Sequence, residues 1–286
     1  MSKSFKHDMV EKVHCSVKCK WTQLRNDLIE KKYRYNEVIP SKESAFLSEF
    51  NRLFSDEVGR KYFEVLLDNV FCEAIVLRGA KLKPDENIPK ADRFIPKAKY
   101  IKDDNRFSPA RVEWLYLALG YPNDDSGRML AEKCSQKECR AGDGDRFGIC
   151  QFELVESNTK VIDLTVGDNW TPQSLQIELH DLVEDYKRRG KPLNADDLME
   201  TDVCKRNLIA AYASIMSEEL FVPIETSNEQ FEYIPFHCIA QYFQSFGYQG
   251  IIYTSTMCEG GKNMVLFNKE IANPIESTID DYIIQS

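Results

Sequence analysis

The sequence predicts an α+β protein, and three observations support this prediction. Apolar side chains recur at helical spacing near the N-terminus, and Phe46, Phe50 and Phe54 form the clearest set. After Phe71, short apolar and β-branched runs such as residues 74–77 are typical of buried strands. These strands and helices alternate with irregular loops, without a regular βαβ order, so we expect α+β and not α/β.

The first 70 residues are predicted to form a helical accessory region. Leu24 and Leu28 repeat at helical spacing, and a second helix is expected to begin after Ser41 or Ser44, because serine is a favoured N-cap. The helical pattern continues through residues 61–67. We therefore place a domain boundary near residue 70.

The second predicted domain covers residues 71–286, with a core over about 71–270 and an insert over about 167–230. We expect a helix that carries Met129, Leu130 and Glu132, and a second that ends before Gly247. The last dozen residues are expected to form a loose tail. The expected strands are 74–77, 114–118, 147–154, 161–164, 250–253 and 264–267.

Composition excludes several classes of function. The net charge of -9 and the pI of about 5.2 argue against nucleic acid as the main partner, because nucleic-acid binders usually present a basic face. No apolar run reaches the roughly 18 residues that cross a membrane, and the N-terminus lacks an apolar signal core. We expect a cytoplasmic protein without a membrane partner, in which most of the nine cysteines are free, buried thiols.

Three neighbouring segments contain the residues with the most informative chemistry. They are Asn105-Arg106-Phe107-Ser108-Pro109, Leu115-Tyr116-Leu117-Ala118 and Leu130-Ala131-Glu132. Arginine binds phosphate or carboxylate through a planar fork, and a positioned glutamate can stabilise a developing positive charge. The segments together predict a nucleotide site that contains a carboxylate.

Six weak motifs occur in an order that resembles the RES-domain family, which is named for its arginine, glutamate and serine. The resemblance covers roughly residues 71–270. Beyond the three segments above, it rests on Val76-Leu77-Arg78, Val161-Ile162-Asp163-Leu164, and residues 246–267 with Ser255, Gly260-Gly261 and Asn263.

The resemblance implies a fold similar to that of ADP-ribosyltransferase toxins, with a cleft for NAD. Family members act as toxins of bacterial toxin–antitoxin pairs, and they consume NAD+ by hydrolysis or phosphorolysis. The implied partners are NAD+ and a separately encoded antitoxin. Independently of the resemblance, the N-terminal helical region favours a partner role, either self-association with a second copy of the chain or regulation. No cofactor is implied beyond NAD+ as the substrate.

The chain departs from the family pattern at several places. Asn105 stands where members often have glycine, and the interval from Tyr116 to Glu132 is a few residues longer than usual. The N-terminal 70 residues and the 167–230 insert lie outside a minimal RES domain. These departures concern substrate access and regulation more than the chemistry.

Under this resemblance, Arg78, Tyr116 and Glu132 are the predicted catalytic residues, and Arg106 helps to bind the diphosphate of NAD+. Each has an alternative structural role. Arg78 could be a snorkelling arginine at a strand end, and Arg106 could pair with a neighbouring aspartate. Glu132 could be an ordinary solvated helix residue, and Tyr116 a core aromatic residue.

Four further residues are predicted to bind NAD+: Phe107, Ser108, Ser255 and Asn263. Ser255 follows a strand and could bond to ribose or phosphate, or could simply stabilise a turn. Asn263 follows the Gly260-Gly261 turn and could equally be a turn former. No metal site is predicted, because the cysteine and histidine clusters lack a full set of ligands at the usual spacing.

Two other functions remain open from sequence. The same cleft could serve a protein mono-ADP-ribosyltransferase, in which a protein nucleophile captures the ribose. Alternatively, the chain could be a non-catalytic interaction domain that keeps the fold and binds a partner.

Overall fold

The computed structural model describes residues 3–30, 44–191, 193–194, 197–198, 200–220 and 229–285. The chain divides into two compact units, and each is discontinuous in sequence. The first combines Met1–Glu64 with Leu164–Ile224, and the second combines Val65–Asp163 with Glu225–Ser286. The structure therefore groups most of the predicted 167–230 insert with the N-terminal helices.

The first unit is helical. Ser44 caps its second helix, because its hydroxyl accepts a hydrogen bond from the backbone N–H of Leu47; Ser41, the other predicted cap, lies outside the described residues. Among the described residues, the α-helices of this unit are α1 (Lys3–Ile29), α2 (Ala45–Ser55), α3 (Glu57–Phe63), α6 (Pro172–Arg188) and α7 (Asp202–Leu220), and a 3-10 turn covers Leu164–Gly167.

An aromatic cluster forms the core of the first unit. Phe46 of α2 packs against Trp21 of α1 with ring centroids 5.2 Å apart, and against Tyr212 of α7 at 4.9 Å. The Tyr212 hydroxyl donates a hydrogen bond of 2.8 Å to Glu49. Since α7 is buried on nearly all sides, it is the central helix of this unit.

The second unit contains a nine-stranded sheet. Its α-helices are α4 (Leu67–Glu73), α5 (Asp125–Glu138) and α8 (Glu229–Ser245). The strands are β1 (Glu64–Leu66, which begins at the unit boundary), β2 (Ile75–Leu82), β3 (Leu115–Gly120), β4 (Arg146–Leu154), β5 (Lys160–Asp163), β6 (Gly250–Thr254), β7 (Lys262–Leu266), β8 (Ala272–Pro274) and β9 (Asp280–Ile283).

The strand order is β1-β5-β6-β7-β3-β2-β4-β8, and β9 also pairs with β4. The β5–β6 pair is parallel, whereas the β2–β3, β2–β4, β3–β7 and β6–β7 pairs are antiparallel. This mixture of helices and a largely antiparallel sheet confirms the α+β class.

Three sequence expectations about secondary structure need correction. Residues 64–66 are a strand and do not continue a helix, because α3 ends at Phe63. β2 extends to Leu82, well beyond the strand expected over residues 74–77. The C-terminal segment is no loose tail, because β9 pairs with β4 and Asp281 forms an ion pair with Arg146 at 2.6 Å.

The state of the cysteines and the conformation of Gly247 agree with two further expectations. All nine cysteines are free, and five of them are buried. Gly247 follows α8 with a φ of 86°, which is the left-handed conformation that ends many helices. No described helix is both long and apolar enough to cross a lipid bilayer.

Two glycines allow α5 to start directly against the end of β3. A Cβ built on Gly120 would lie 1.8 Å from the carbonyl oxygen of Gly127, and one built on Gly127 would meet the carbonyl of Gly120 at 2.6 Å. Backbone contacts of this kind tolerate no side chain. The close contact between the backbones of Gly120 and Gly127 fixes the position of α5 on the sheet.

We expect Gly120→Ala to lower the free energy of unfolding by roughly 1–3 kcal/mol, because the added methyl group would force strand and helix apart. Gly142→Ala is the matched control: a Cβ there meets nothing within 4 Å, and such a change is usually worth under about 0.5 kcal/mol. Urea unfolding of both variants measures the difference. Equal stability of the two variants would contradict this packing account.

Candidate functional site

The second unit contains a cavity of about 200 Å3 that brings together residues far apart in the sequence. Its lining combines one cation, one carboxylate, two amides and two phenols. The lining residues are Arg78, Gly79, Asn105, Tyr116, Leu117, Ala118, Ser135, Glu138, Cys139, Tyr253 and Asn263.

Three adjacent strands form the floor of the cavity. Asn263 of β7 is the register partner of Ala118 in β3 and of Tyr253 in β6. The three residues therefore form a row across the sheet. Because strand pairing fixes this row, the Asn263 amide is held on a rigid element and not on a loop.

The last two turns of α5 cover this row. Ala131, Cys134, Ser135 and Glu138 are spaced i, i+3, i+4 and i+7, so they share one face of the helix; the first three are buried. A Cβ on Gly79 of β2 would lie 2.5 Å from the Ser135 hydroxyl. Because α5 lies this close to β2, the side chain of Glu138, the last residue of α5, lines the cavity.

Two side chains hold the Glu138 carboxylate. The Ser255 hydroxyl donates to Oε1 at 2.7 Å, and the Asn263 amide Nδ2 donates to the same oxygen at 2.6 Å. Within the described residues, Oε2 has no hydrogen-bond donor. One oxygen therefore orients the carboxylate, and the other remains available for a ligand.

Ser255 has no hydrogen-bonding capacity left for a ligand. Its hydroxyl donates its single proton to Glu138 and accepts from the backbone N–H groups of Met257 and Cys258 at 3.2 and 3.1 Å. A hydroxyl has one donor and two acceptor positions, and all three are occupied. Ser255 therefore acts through Glu138, and it also stabilises the turn after β6.

Arg78, a half-buried residue, places a cationic group at the cavity. Its Nη1 is buried and has no hydrogen-bond partner among the described residues. Burial lowers the pKa of the guanidinium to about 10, so it stays protonated at neutral pH. A buried cation without an internal counter-ion is costly for the fold, and an anionic ligand would offset that cost.

Two tyrosines contribute neutral hydroxyl groups. The Tyr116 hydroxyl lies 2.9 Å from the Ser108 hydroxyl. Burial raises the pKa of both Tyr116 and Tyr253 well above the usual value, so both remain protonated under any ordinary condition. They can donate hydrogen bonds, but they cannot act as bases near neutral pH.

The predicted NAD-binding residues Phe107 and Ser108 are fully buried behind this surface. Phe107 packs on Tyr253 with ring centroids 4.9 Å apart, and Ser108 bonds to Tyr116. Neither lines the cavity. Phe107 and Ser108 therefore hold in place Tyr253 and Tyr116, two aromatic side chains that do line the cavity.

Arg106 and Glu132 are also absent from the described lining of the cavity. The Arg106 guanidinium lies 5.7 Å from the centre of the Tyr233 ring. Glu132 forms an ion pair of 2.9 Å with Arg128, one helical turn earlier on α5. The structure thus places the predicted carboxylate six residues before the one that reaches the cavity.

Of the eight site residues predicted from sequence, the structure brings Arg78, Tyr116 and Asn263 into one cavity, and Ser255 into contact with it through Glu138. Glu138 was missed. Helical spacing could have found it, because Glu138 shares a face with Ala131 and Cys134 whereas Glu132 does not. The roles of Arg106 and Glu132 remain predictions.

A larger groove of about 900 Å3 also has Arg78 in its lining. Its cationic side chains are Lys83, Lys90, Arg93 and Lys97. Arg93 pairs with Glu86 and Lys97 with Asp92, so these two cations are partly neutralised. Arg78 is therefore shared by a small cavity and a wider, charged groove.

Comparison with known proteins gives one distant match. No protein-family model matches the chain, and no curated protein matches it. Among solved structures, the crystal structure of the M. tuberculosis MbcT–MbcA toxin–antitoxin complex aligns over 80% of this chain and 93% of that chain, with 12% identity and a TM-score of 0.27. A match with so low a TM-score does not establish a shared fold.

We expect Arg78→Met to raise the free energy of unfolding of the ligand-free protein by about 1–3 kcal/mol, because it removes a buried, unsatisfied polar group. Pyrophosphate should raise the melting temperature of the wild type, because it binds to the folded state. The Arg78→Met variant should not show this increase. Thermal and urea unfolding, with and without pyrophosphate, measure both effects.

Arg128→Met is the matched control, because Arg128 pairs with Glu132 and does not line the cavity. This variant should keep the response to pyrophosphate. If Arg78→Met instead destabilised the protein and kept that response, the guanidinium would have a structural role.

Proposed function

We propose that this protein is an enzyme that cleaves the nicotinamide–ribose bond of NAD+. The observation that supports this most strongly is that one cavity is lined both by Arg78, whose buried Nη1 has no hydrogen-bond partner among the described residues, and by the oriented carboxylate of Glu138. An anion-binding group next to a carboxylate suits a substrate with a diphosphate and a sugar that becomes cationic. The motif order of the sequence, which resembles the RES-domain family, indicates the same chemistry.

In this proposal Arg78 binds the diphosphate. Its planar fork matches two phosphate oxygens, and the buried setting strengthens the interaction. Small-molecule sites usually measure about 300–1,000 Å3, so the cavity of about 200 Å3 fits only part of a dinucleotide. The nicotinamide riboside half would occupy this cavity, and the adenosine half would extend into the groove beside Arg78.

The bond that breaks joins C1 of the ribose to the pyridinium nitrogen. The electron pair of that bond leaves with nicotinamide, which departs as a neutral molecule and needs no proton. The ribose is left as an oxocarbenium-like cation, as in glycoside cleavage. The protein therefore has to hold the substrate and stabilise positive charge, and a strong nucleophile is unnecessary.

Glu138 would supply the negative charge. Its free oxygen, Oε2, would face the ribose as the cation develops, while Ser255 and Asn263 hold Oε1. Tyr116 would orient the substrate through its hydroxyl or ring. The chemistry needs no cofactor beyond NAD+ itself.

An acceptor then adds to C1 of the ribose. Water would give ADP-ribose and release a proton, whereas inorganic phosphate would give the ribosyl phosphate. Under the family resemblance, the protein would act as a toxin with an ADP-ribosyltransferase-like fold, and a separate antitoxin would block the cleft.

We expect Glu138→Gln to lower kcat for NAD+ cleavage by at least about a hundredfold, because the amide removes the charge that stabilises the transition state. Glu132→Gln is the matched control on the same helix, and it tests the sequence prediction directly. Loss of NAD+, followed by mass spectrometry with the purified proteins, decides between the two carboxylates.

A large loss of activity in Glu132→Gln, with Glu138→Gln unaffected, would return the catalytic role to Glu132. Circular dichroism of both variants should match the wild type, since neither substitution changes side-chain volume.

The acceptor can be identified from the products. We expect free ADP-ribose in phosphate-free buffer and a ribosyl phosphate when phosphate is added at millimolar concentration, because the cleavage step needs no protein nucleophile. A protein lysate with labelled NAD+ provides the comparison. Label retained on a protein band, with little free ADP-ribose, would favour the alternative, a protein mono-ADP-ribosyltransferase.

A further inference from the structure

Two side chains of α8 contact two consecutive residues of the loop that contains Asn105. The His237 ring nitrogen Nε2 lies 2.9 Å from the backbone oxygen of Asn105, and the Tyr233 ring lies beneath the Arg106 guanidinium. Tyr233 and His237 are four residues apart, so they lie on the same face of the helix. Their rings are 6.4 Å apart.

The direction of the hydrogen bond between His237 and Asn105 follows from the chemistry of the carbonyl group. A carbonyl oxygen only accepts, so Nε2 of His237 carries the proton and donates it to Asn105. Burial lowers the pKa of His237 and so favours the neutral ring, in which the hydrogen bond to Asn105 places the proton on Nε2. The bond is therefore present without a charge on the histidine.

The backbone of Asn105 is held on both sides. Its N–H donates to the Ser108 carbonyl at 2.8 Å, and its own carbonyl accepts from His237. The Asn105 carboxamide has no hydrogen-bond partner among the described residues, yet the residue lines the cavity with Arg78 and Glu138. A fixed backbone therefore presents a free donor and a free acceptor at the proposed site.

We propose that His237 is a positioning residue, which holds the Asn105 carboxamide in place to bind a polar group of the substrate. This inference rests on the proposed function, because it names a further residue on which that site depends. His237 itself does not line the cavity. It acts through the Asn105 carbonyl, and Asn105 contacts the ligand.

A pair of variants separates the hydrogen bond from the bulk of the ring. Glutamine can place an amide N–H near the position of Nε2, whereas methionine has similar length and no donor. We expect His237→Met to raise KM for NAD+ about tenfold, the loss that corresponds to one hydrogen bond left unmade, with kcat changed less than KM. His237→Gln should restore most of the affinity.

Hydrogen exchange provides a second measurement that needs no activity. The Met variant should show faster amide exchange over residues 104–111 than the wild type, and the Gln variant should not. If the Met variant keeps wild-type KM and exchange, or if Gln fails to restore them, His237 has no positioning role. If the wild type does not consume NAD+, the proposed function fails, and the exchange comparison alone decides whether His237 holds the loop.

Discussion

The central constraint in the second unit is the Arg78 guanidinium, which is buried at Nη1 without an internal partner. Proteins rarely keep such a group, because an unsatisfied buried polar atom costs about 1–3 kcal/mol. The cost is understandable if the cation serves a ligand, since functional sites commonly retain destabilising features. The other residues of the cavity supply the complement: a carboxylate, two amides and two neutral phenols.

Close backbone packing places the Glu138 carboxylate in the cavity that Arg78 also lines. Gly120 and Gly127 bring the start of α5 against β3, and Gly79 lets the helix approach β2. The end of α5 then lies over the β6–β7 region, where Ser255 and Asn263 hold one oxygen of Glu138. Most residues of the site therefore lie on strands and on α5, whereas Asn105 lies in a loop and Ser255 in the turn after β6.

Local patterns predicted much of the fold. The β-branched run at 74–77 and the alternation at 147–154 correspond to β2 and β4, and the aromatic spacing of Phe46 and Phe50 corresponds to α2. The pairing of β9 with β4 could not be predicted, because it depends on long-range contacts such as that between Arg146 and Asp281. The grouping of 164–224 with the N-terminal helices depends on tertiary packing in the same way.

The site was predictable in part. Motif order selected Arg78, Tyr116 and Asn263, which line one cavity, and Ser255, which bonds to Glu138 there. It also selected Glu132, which pairs with Arg128 and does not line that cavity. The decisive measurement is a crystal structure of the Glu138→Gln variant with NAD+. We expect the diphosphate within hydrogen-bond distance of Arg78 and the nicotinamide ribose beside residue 138. A dinucleotide bound away from Arg78, or with its ribose at Glu132, would contradict this expectation.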